Sequence, residues 1–163
     1  MMNRYTISVL VNDEPGVLQR VSGLFGRRGF NIDSITVGGS EQIGLSRMII
    51  VTSGDDRIIE QVEKQLNKLI DVIEVTHLSL HSIVERELAF IKVKAEPSKR
   101  PEILGVVHTF RASIIDIGPN SLIIQVVGEL NKMEALIELL KPYGILELCK
   151  TGTTAMIRGD KHP

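Results

Sequence analysis

The chain has 163 residues, 43% hydrophobic and 24% charged, as expected of a folded globular protein with one ordinary domain or two very small ones. Its formal net charge of −1 gives no electrostatic reason to expect a nucleic acid partner, and it has no run of about 18 apolar residues that could cross a membrane. Cys149 is the only cysteine, so no internal disulfide can form, and a reducing, cytoplasmic location is expected.

The chain begins with a strand pattern, because apolar and polar side chains alternate over residues 5–11. Residues 12–16 break this pattern and are typical of a helix start, where Asn12 or Asp13 can cap free N–H groups. Apolar residues then follow at helical spacing, and Gly29 supplies a helix stop in the left-handed conformation. The predicted stripe consists of Val17, Leu18, Val21, Leu24 and Phe25.

Two further strand patterns cover residues 32–37 and 45–52, with a polar loop between them. Ser53 or Asp55 is then placed to cap a second helix, and residues 72–80 return to a strand pattern. The apolar positions of this second helix are Ile58, Ile59, Val62, Leu66 and Leu69.

The first half therefore has the order β-α-β-β-α-β, and the second half repeats this order without repeating the sequence. Asn131 and Glu134 have the spacing of a capping box at the start of the last helix, and the tail from Arg158 is expected to be frayed. The strand patterns cover residues 87–94, 113–117, 122–127 and 145–156, and the helix stripes contain Ile103, Val106, Val107 and Phe110, then Met133, Leu136, Ile137 and Leu140.

Each half is predicted to form a ferredoxin-like βαββαβ unit, an α+β architecture in which a four-stranded antiparallel sheet carries two helices on one face. We place the first domain at residues 1–81 and the second at residues 82–163. The other face of each sheet is then open, and soluble proteins rarely expose a whole apolar sheet face. Dimerisation or docking onto a partner chain is therefore expected.

No catalytic or metal centre is predicted from the spacing of reactive residues. His77 and His81 share one strand pattern, but no third ligand can be placed near them, so surface histidines are favoured. Cys149 lies between Leu148 and Lys150 in a predicted strand, and a lone buried thiol is favoured over a nucleophile.

Three glycines recur at three-residue spacing in the first half. Gly23, Gly26 and Gly29 lie within and after a predicted helix, whereas a phosphate loop would lie at the helix start. They therefore indicate close packing of another backbone. The central strands offer too few aromatic residues to bind RNA as related topologies do.

The residues favour the binding of a small molecule as the function of the first half. Free N–H groups and the positive helix end after residues 12–16 favour a carboxylate, and Gly16 lets a ligand approach the backbone. Asn31 begins the next strand, and we expect it to come near this turn. Gly16 N–H, the Asn31 amide and the apolar Val17 and Ile32 could together bind an amino acid. The alternative is that the turn is only a good helix cap.

Several stretches resemble the family of acetolactate synthase small subunits. Residues 10–18, LVNDEPGVL, resemble the first turn of an ACT domain, and residues 20–25 and 27–32, RVSGLF and RRGFNI, are similar to the small-subunit family more specifically. Further matching stretches lie at residues 45–48, 63–69, 84–88 and 158–160, so the resemblance spans nearly the whole chain.

The resemblance implies a regulatory role without catalytic activity. Such subunits form dimers through their ACT domains and bind a catalytic large subunit that holds thiamine diphosphate, Mg and FAD, so no cofactor is expected on this chain. They raise the activity of the large subunit and confer inhibition by valine. The controlled reaction joins decarboxylated pyruvate to a second 2-oxo acid, the first common step towards branched-chain amino acids.

The resemblance also assigns a valine site between two ACT domains, where the first turn of one chain faces the start of the second strand of the other. Carried onto this sequence, Gly16, Val17 and Leu18 supply backbone and wall contacts, while Asn31 and Ile32 supply polar and apolar contacts.

Asp13 stands where the family usually has Asn, and this departure affects the expected ligand. A carboxylate attracts the ammonium group of an amino acid but repels its carboxylate, and Asn12 could take over after a small shift. Leucine, isoleucine or weak inhibition therefore stay open. Two rival classes are an ACT-type sensor of a different partner, which would have a different second half, and an enzyme, which would need a cluster of ionisable groups.

Overall fold

The computed structural model describes residues 3–163 and divides them into two compact units. The first unit comprises the chain up to Val84 together with Thr153–Pro163, and the second comprises Glu85–Gly152. The predicted boundary after residue 81 lies near this division, whereas the segment Thr153–Pro163, which the sequence placed in the second domain, packs within the first unit. No helix in the described residues is long and apolar enough to span a membrane.

The first unit has the predicted βαββαβ order. Its elements are β1 (Asn3–Asn12), α1 (Val17–Arg27), β2 (Asn31–Gly39), β3 (Leu45–Gly54), α2 (Asp56–Asn67), β4 (Val72–His77) and a short 3-10 helix (Leu78–Leu80). The four strands form an antiparallel sheet in the order β2-β3-β1-β4. This arrangement confirms the predicted ferredoxin-like topology.

One core lies between this sheet and its two helices. Because side chains alternate along a strand, Ile7, Val9 and Val11 of β1 all point to the helix side and are buried. The apolar stripe of each helix packs onto them, as the helical spacing predicted. The buried cluster contains Ile7, Val9, Val11, Val17, Val21, Leu24, Phe25, Met48, Ile50, Val62 and Leu66.

The second unit repeats the topology. Its elements are β5 (Ile83–Lys94), α3 (Arg100–Thr109), β6 (Ser113–Ile117), β7 (Ser121–Gly128), α4 (Leu130–Leu140), a 3-10 helix (Lys141–Tyr143) and β8 (Ile145–Lys150). Four strands have the order β6-β7-β5-β8, the same as in the first unit, and a further strand beside β5 makes this sheet five-stranded where four strands were predicted. Its separate core contains Ala89, Ile91, Val93, Ala95, Ile103, Val107, Leu122, Ile124, Val126, Met133, Leu136 and Leu140.

The helix ends show which local signals the structure uses. Asp55 caps α2, since its Oδ1 accepts a hydrogen bond of 2.9 Å from the backbone N–H three residues on. Gly29 follows α1 with φ +70°, as predicted for a helix stop. The predicted capping box at Asn131 is wrong, because Asn131 lies inside α4 and the extended residue before that helix is Glu129.

The C-terminal segment adds a ninth strand, β9 (Thr154–Ile157), that the sequence did not separate from β8. Strand β9 pairs with β5, and next to it the Arg158 N–H donates to the Ser82 carbonyl at 2.9 Å. On its other side, the Thr36 hydroxyl donates to the Thr153 carbonyl at 2.7 Å. The expectation of a tail frayed from Arg158 is therefore wrong for that residue.

The face of the first sheet away from the helices is not open along its length, contrary to expectation. Thr36 lies opposite Ile49 on this face, so its contact with Thr153 places the C-terminal segment there. The 3-10 helix continues beside β1 where β4 ends, since Ser79 Oγ accepts a hydrogen bond of 2.7 Å from the Thr6 N–H. Ile49 and Val51 are accordingly buried.

Candidate ligand-binding site at the start of helix α1

The turn of residues 12–16 is held at the end of the first sheet by its backbone. The Asn12 N–H donates to the Asp71 carbonyl at 2.9 Å, and the Asp13 N–H donates to the Gly44 carbonyl at 2.8 Å. These bonds tie the turn to the start of β4 and to the β2–β3 loop. The start of α1 is therefore fixed by two neighbouring segments.

Gly16 is the residue that precedes α1, and its backbone has the left-handed φ of +85°. No side chain in residues 3–163 caps this helix, so the expectation that Asn12 or Asp13 does so is wrong. The left-handed residue next to the helix provides the physical reason, because a side-chain cap requires extended backbone at that position. The N–H groups of the first turn are left without a side-chain acceptor, and no acidic residue lies in that turn.

An ion pair that the sequence analysis missed lies beside Gly16. Arg20 donates from both Nε and Nη2 to Asp71 Oδ2, at 2.7 Å each. Arg20 Nη1 lies 2.9 Å from the position that a Cβ on Gly16 would occupy. Asp71 is 51 residues from Arg20 in the chain, so no sequence spacing indicated the pair.

The two apolar residues predicted at the start of α1 have different surroundings. Val17 is only 3% exposed and belongs to the core, so its side chain faces the sheet. Leu18 is 46% exposed on the outer side of the helix. Of the two side chains, Leu18 is the one available to a ligand or a second chain.

Asn31 and Ile32 lie at the opposite end of the sheet from Gly16. The end of β1, Asn12, pairs with Leu45 of β3, whereas Asn31 pairs with Ser53, eight positions further along that strand. At about 3.3 Å per residue this is a separation of roughly 26 Å. The expectation that Asn31 comes near the first turn within one chain is therefore wrong.

The direction of the chain explains this separation. Strand β1 runs towards the Gly16 end of the sheet, α1 runs back, and β2 starts at the end where β1 began. Asn31 lies there among polar neighbours, with its amide Nδ2 donating to Asp33 Oδ1 at 2.5 Å and its carbonyl accepting from the Thr52 hydroxyl. Ile32 packs against the core from the same strand end.

The two histidines and the cysteine do not share a structural element. No group of three or more His, Cys, Asp or Glu residues that could hold a metal ion occurs in the described part of the chain. His77 ends β4 and lies 3.0 Å from Glu63 Oε1, while His81 follows the 3-10 helix, so the two histidines do not share a strand. Cys149 is exposed, which corrects the expectation of a buried thiol; it pairs with Phe90, itself 41% exposed.

The three glycines within and after α1, Gly23, Gly26 and Gly29, do not provide a close backbone contact within residues 3–163. No atom lies within 4 Å of a Cβ built on Gly26 or Gly29, and only the Arg27 guanidinium approaches one on Gly23. The predicted close packing is therefore wrong for the single chain.

A hollow of about 370 Å³ lies on the other face of the first sheet, between the β2–β3 hairpin and β9. An ion pair forms part of its lining, and in this pair Arg47 Nη2 lies 2.8 Å from Glu41 Oε1. The hydrogen bond from Arg47 holds the pKa of Glu41 below its usual value. Arg47 of this hollow is therefore paired with a carboxylate of the same hairpin.

Comparisons with known proteins match both halves of the chain. Residues 7–74 match the family model described as the AHAS small subunit-like ACT domain, and residues 86–159 match the model for the small subunit of acetolactate synthase. A probable acetolactate synthase small subunit from Archaeoglobus fulgidus is 54% identical over 97% of this chain and 99% of its own length. The acetolactate synthase small subunit of Bacillus subtilis is 53% identical over 94% of this chain and 90% of its own.

A solved structure shows the same architecture. The crystal structure of the acetolactate synthase small subunit from Thermotoga maritima is 45% identical to this chain and superposes with a TM-score of 0.88. The match covers 98% of this chain and 99% of that one. The likeness therefore extends over both βαββαβ units.

Proposed function

We propose that this chain, which belongs to the family of acetolactate synthase small subunits, is the regulatory subunit of that enzyme. It binds the catalytic large subunit, raises its activity and inhibits it when valine is bound. The observation that carries the proposal is a match to small subunits from end to end, since relatives and chain cover each other almost completely. Both units contribute to that match, which favours this function over a sensor of a different partner.

The proposed valine site lies between two copies of the chain. Within one protomer Gly16 and Asn31 lie at opposite ends of the sheet, so neither end holds both halves of the site. Strand β2 is at one edge of the sheet. Two β2 strands that pair antiparallel about a two-fold axis would bring Asn31 of each chain towards the Gly16 end of the other, giving two equal sites.

The chemistry of the two halves suits a free amino acid. The uncapped N–H groups at the start of α1 attract the carboxylate, the Asn31 amide oxygen accepts from the ammonium group, and the exposed Leu18 and the Ile32 side chain contact the aliphatic part. The Asp13 side chain is exposed beside the turn, where it attracts the ammonium group. Valine is the ligand proposed, and leucine and isoleucine are the competing ligands to test.

Inhibition requires that valine binds one state of the complex better than the other. A ligand between two ACT units fixes their relative orientation, and that orientation favours the less active state of the large subunit. A coupling free energy of about 1–3 kcal/mol is typical of such regulation.

Acetolactate formation is proposed to take place on the catalytic large subunit. Thiamine diphosphate, Mg and FAD are assigned to the catalytic large subunit, and this chain is proposed to carry no cofactor and no activity of its own. A cytoplasmic location suits its exposed single cysteine, because that thiol stays reduced there.

One set of assays tests the whole proposal. The matching catalytic subunit is assayed for acetolactate formation alone and with this chain, and the mixture is then titrated with valine, leucine and isoleucine. We expect activation by the chain, inhibition by valine and no product from the purified chain alone. Product from the chain alone, or no change of large-subunit activity on mixing, would contradict the proposal.

A further inference from the structure

We infer that the Arg20–Asp71 ion pair recognises the two charges of the bound amino acid, with the guanidinium binding its carboxylate and the Asp71 carboxylate binding its ammonium group. The inference rests on the proposed function, because it concerns the same site. It assigns charge recognition to side chains that neither the sequence analysis nor the comparisons identified.

The guanidinium of Arg20 has N–H donors that Asp71 does not use. Nε and Nη2 donate to Asp71, whereas Nη1 is directed to the start of α1, where it lies 2.9 Å from the position of a Cβ on Gly16. The Arg20 side chain is 48% exposed, so a ligand can reach it from solvent. A carboxylate placed at the uncapped N–H groups next to Gly16 is therefore within reach of this donor.

Electrostatics favour an anion at this point. The start of a helix carries a partial positive charge, so a guanidinium folded back to it is unfavourable unless anions are near. Asp71 is one such anion, and the first turn of α1 contains no acidic residue. A ligand carboxylate beside Arg20 would pair with both the guanidinium and the helix start in a charge-assisted contact.

Asp71 supplies the complementary charge. Both donors of Arg20 go to Oδ2, and no hydrogen bond of the described residues uses Oδ1. The residue is 8% exposed, so its charge is little screened by solvent. An α-amino acid carries its ammonium and carboxylate groups on one carbon, and this pair presents an anion and a cation in contact, which matches that spacing.

The same geometry explains why position 16 suits glycine beyond its backbone angle. A side chain on residue 16 would clash with Arg20 Nη1, and it would push the guanidinium away from the helix start. The absence of a Cβ therefore lets Nη1 lie against the helix start, where a ligand carboxylate can contact both positive groups.

The test measures the dissociation constant of L-valine by calorimetry for the full-length chain and for Arg20→Gln and Asp71→Asn. We expect each variant to weaken binding at least about tenfold, the loss expected when one charge-assisted hydrogen bond is removed. Arg111→Gln is the matched control, since it removes an exposed guanidinium from the second unit and should leave the affinity unchanged.

A second ligand separates recognition from a structural role. L-valinol lacks the carboxylate, so Arg20→Gln should weaken its binding, followed by NMR titration, much less than it weakens that of L-valine. Equal losses for the two ligands, or full valine affinity in Arg20→Gln, would overturn this inference and leave the proposed function standing. A parent chain that binds no valine would instead overturn the proposed function and this inference with it.

Discussion

The first helices of the two units begin in different ways on the same topology. In the first unit the Asn12 N–H donates to the carbonyl of Asp71, and in the second the Lys94 N–H donates to the carbonyl of Gly144, so Asp71 and Gly144 occupy equivalent places. The second unit therefore has a glycine where the first has the buried carboxylate that pairs with Arg20. The charged pair is specific to the first unit.

The second unit has an acidic side chain in the first turn of its first helix. Glu102 lies in the first turn of α3, and its Oε2 accepts a hydrogen bond of 3.0 Å from the Tyr143 hydroxyl. Helix α1 has no acidic residue in the corresponding turn. One helix start therefore has an acidic residue of its own, whereas the other has none and is proposed to receive an anion from outside the chain.

The largest expected effect comes from placing a carboxylate at the open helix start. Gly16→Asp should weaken valine binding at least about a hundredfold, because the new carboxylate competes for the helix start and for Arg20. A side chain at φ +85° also costs about 1–2 kcal/mol of stability. Calorimetry with valine checks the first effect and thermal unfolding checks the second.

The control for Gly16→Asp is Lys99→Asp, which places a carboxylate at the residue before α3. That helix start lies in the second unit and already has Glu102 in its first turn, so valine affinity should not change. Equal losses in the two variants would remove the distinction between the units.

Removal of the C-terminal segment tests which unit depends on it. A chain ending at Gly152 loses the pairing of β9 with β5 and the Thr36–Thr153 and Arg158–Ser82 hydrogen bonds; these two bonds alone are worth about 2 kcal/mol, at about 1 kcal/mol each. Hydrogen exchange should become faster in β2 and the first 3-10 helix and stay unchanged in α3 and α4. Deletion of residues 159–163 alone is the control, and faster exchange confined to the second unit would contradict the division into units.

Asn31→Ala tests whether the site needs two chains. The variant should weaken valine binding about tenfold, through loss of one hydrogen bond to a charged group. When it is mixed with Gly16→Asp, each mixed dimer would combine an intact Gly16 from one chain with an intact Asn31 from the other. Valine binding should therefore return to one site per mixed dimer, and failure to recover any binding would contradict a site built between chains.

The smallest expected effect concerns the two tyrosines, one in each unit. A hydrogen bond to Asp56 raises the pKa of Tyr5, and a hydrogen bond to Glu102 raises the pKa of Tyr143. A raised pKa means that the folded state favours the neutral phenol, so this contribution to stability is present below about pH 10 and is lost as the pH rises through the folded pKa.

Alkaline absorbance titration checks this pair of shifts. In a Tyr143→Phe background, Asp56→Asn should bring the Tyr5 midpoint down towards the ordinary value. In a Tyr5→Phe background, Glu102→Gln should do the same for Tyr143. A midpoint that does not move in either case would show that the hydrogen bond is not its cause.

The parts of the fold predicted correctly are those set by local chemistry. Alternation in β1 and the helical spacing of Val21 and Phe25 follow directly from which face is buried. The predicted helix cap at Asp55 and the predicted helix stop at Gly29 are confirmed, because a cap and a left-handed stop depend on only a few neighbouring residues. The family resemblance, carried by motifs in both halves, is confirmed by the comparisons.

The parts predicted wrongly depend on the path of the chain in space. Asn31 follows directly on α1, yet β2 starts at the far end of the sheet from Gly16, and only the strand register shows this. The Arg20–Asp71 pair joins residues from different elements, so no local pattern indicates it. The valine site stays a prediction, since its two halves meet only if a second chain supplies one of them.

The return of the C-terminal segment to the first unit has a consequence for the order of events during synthesis. The start and end of the second unit are adjacent, because the Thr151 N–H donates to the Leu88 carbonyl at 3.0 Å. All residues of that unit are present as soon as Gly152 leaves the ribosome, whereas the first unit still lacks Thr153–Pro163. Translation proceeds from the N-terminus, but the half proposed to sense the amino acid is the last to acquire all of its residues.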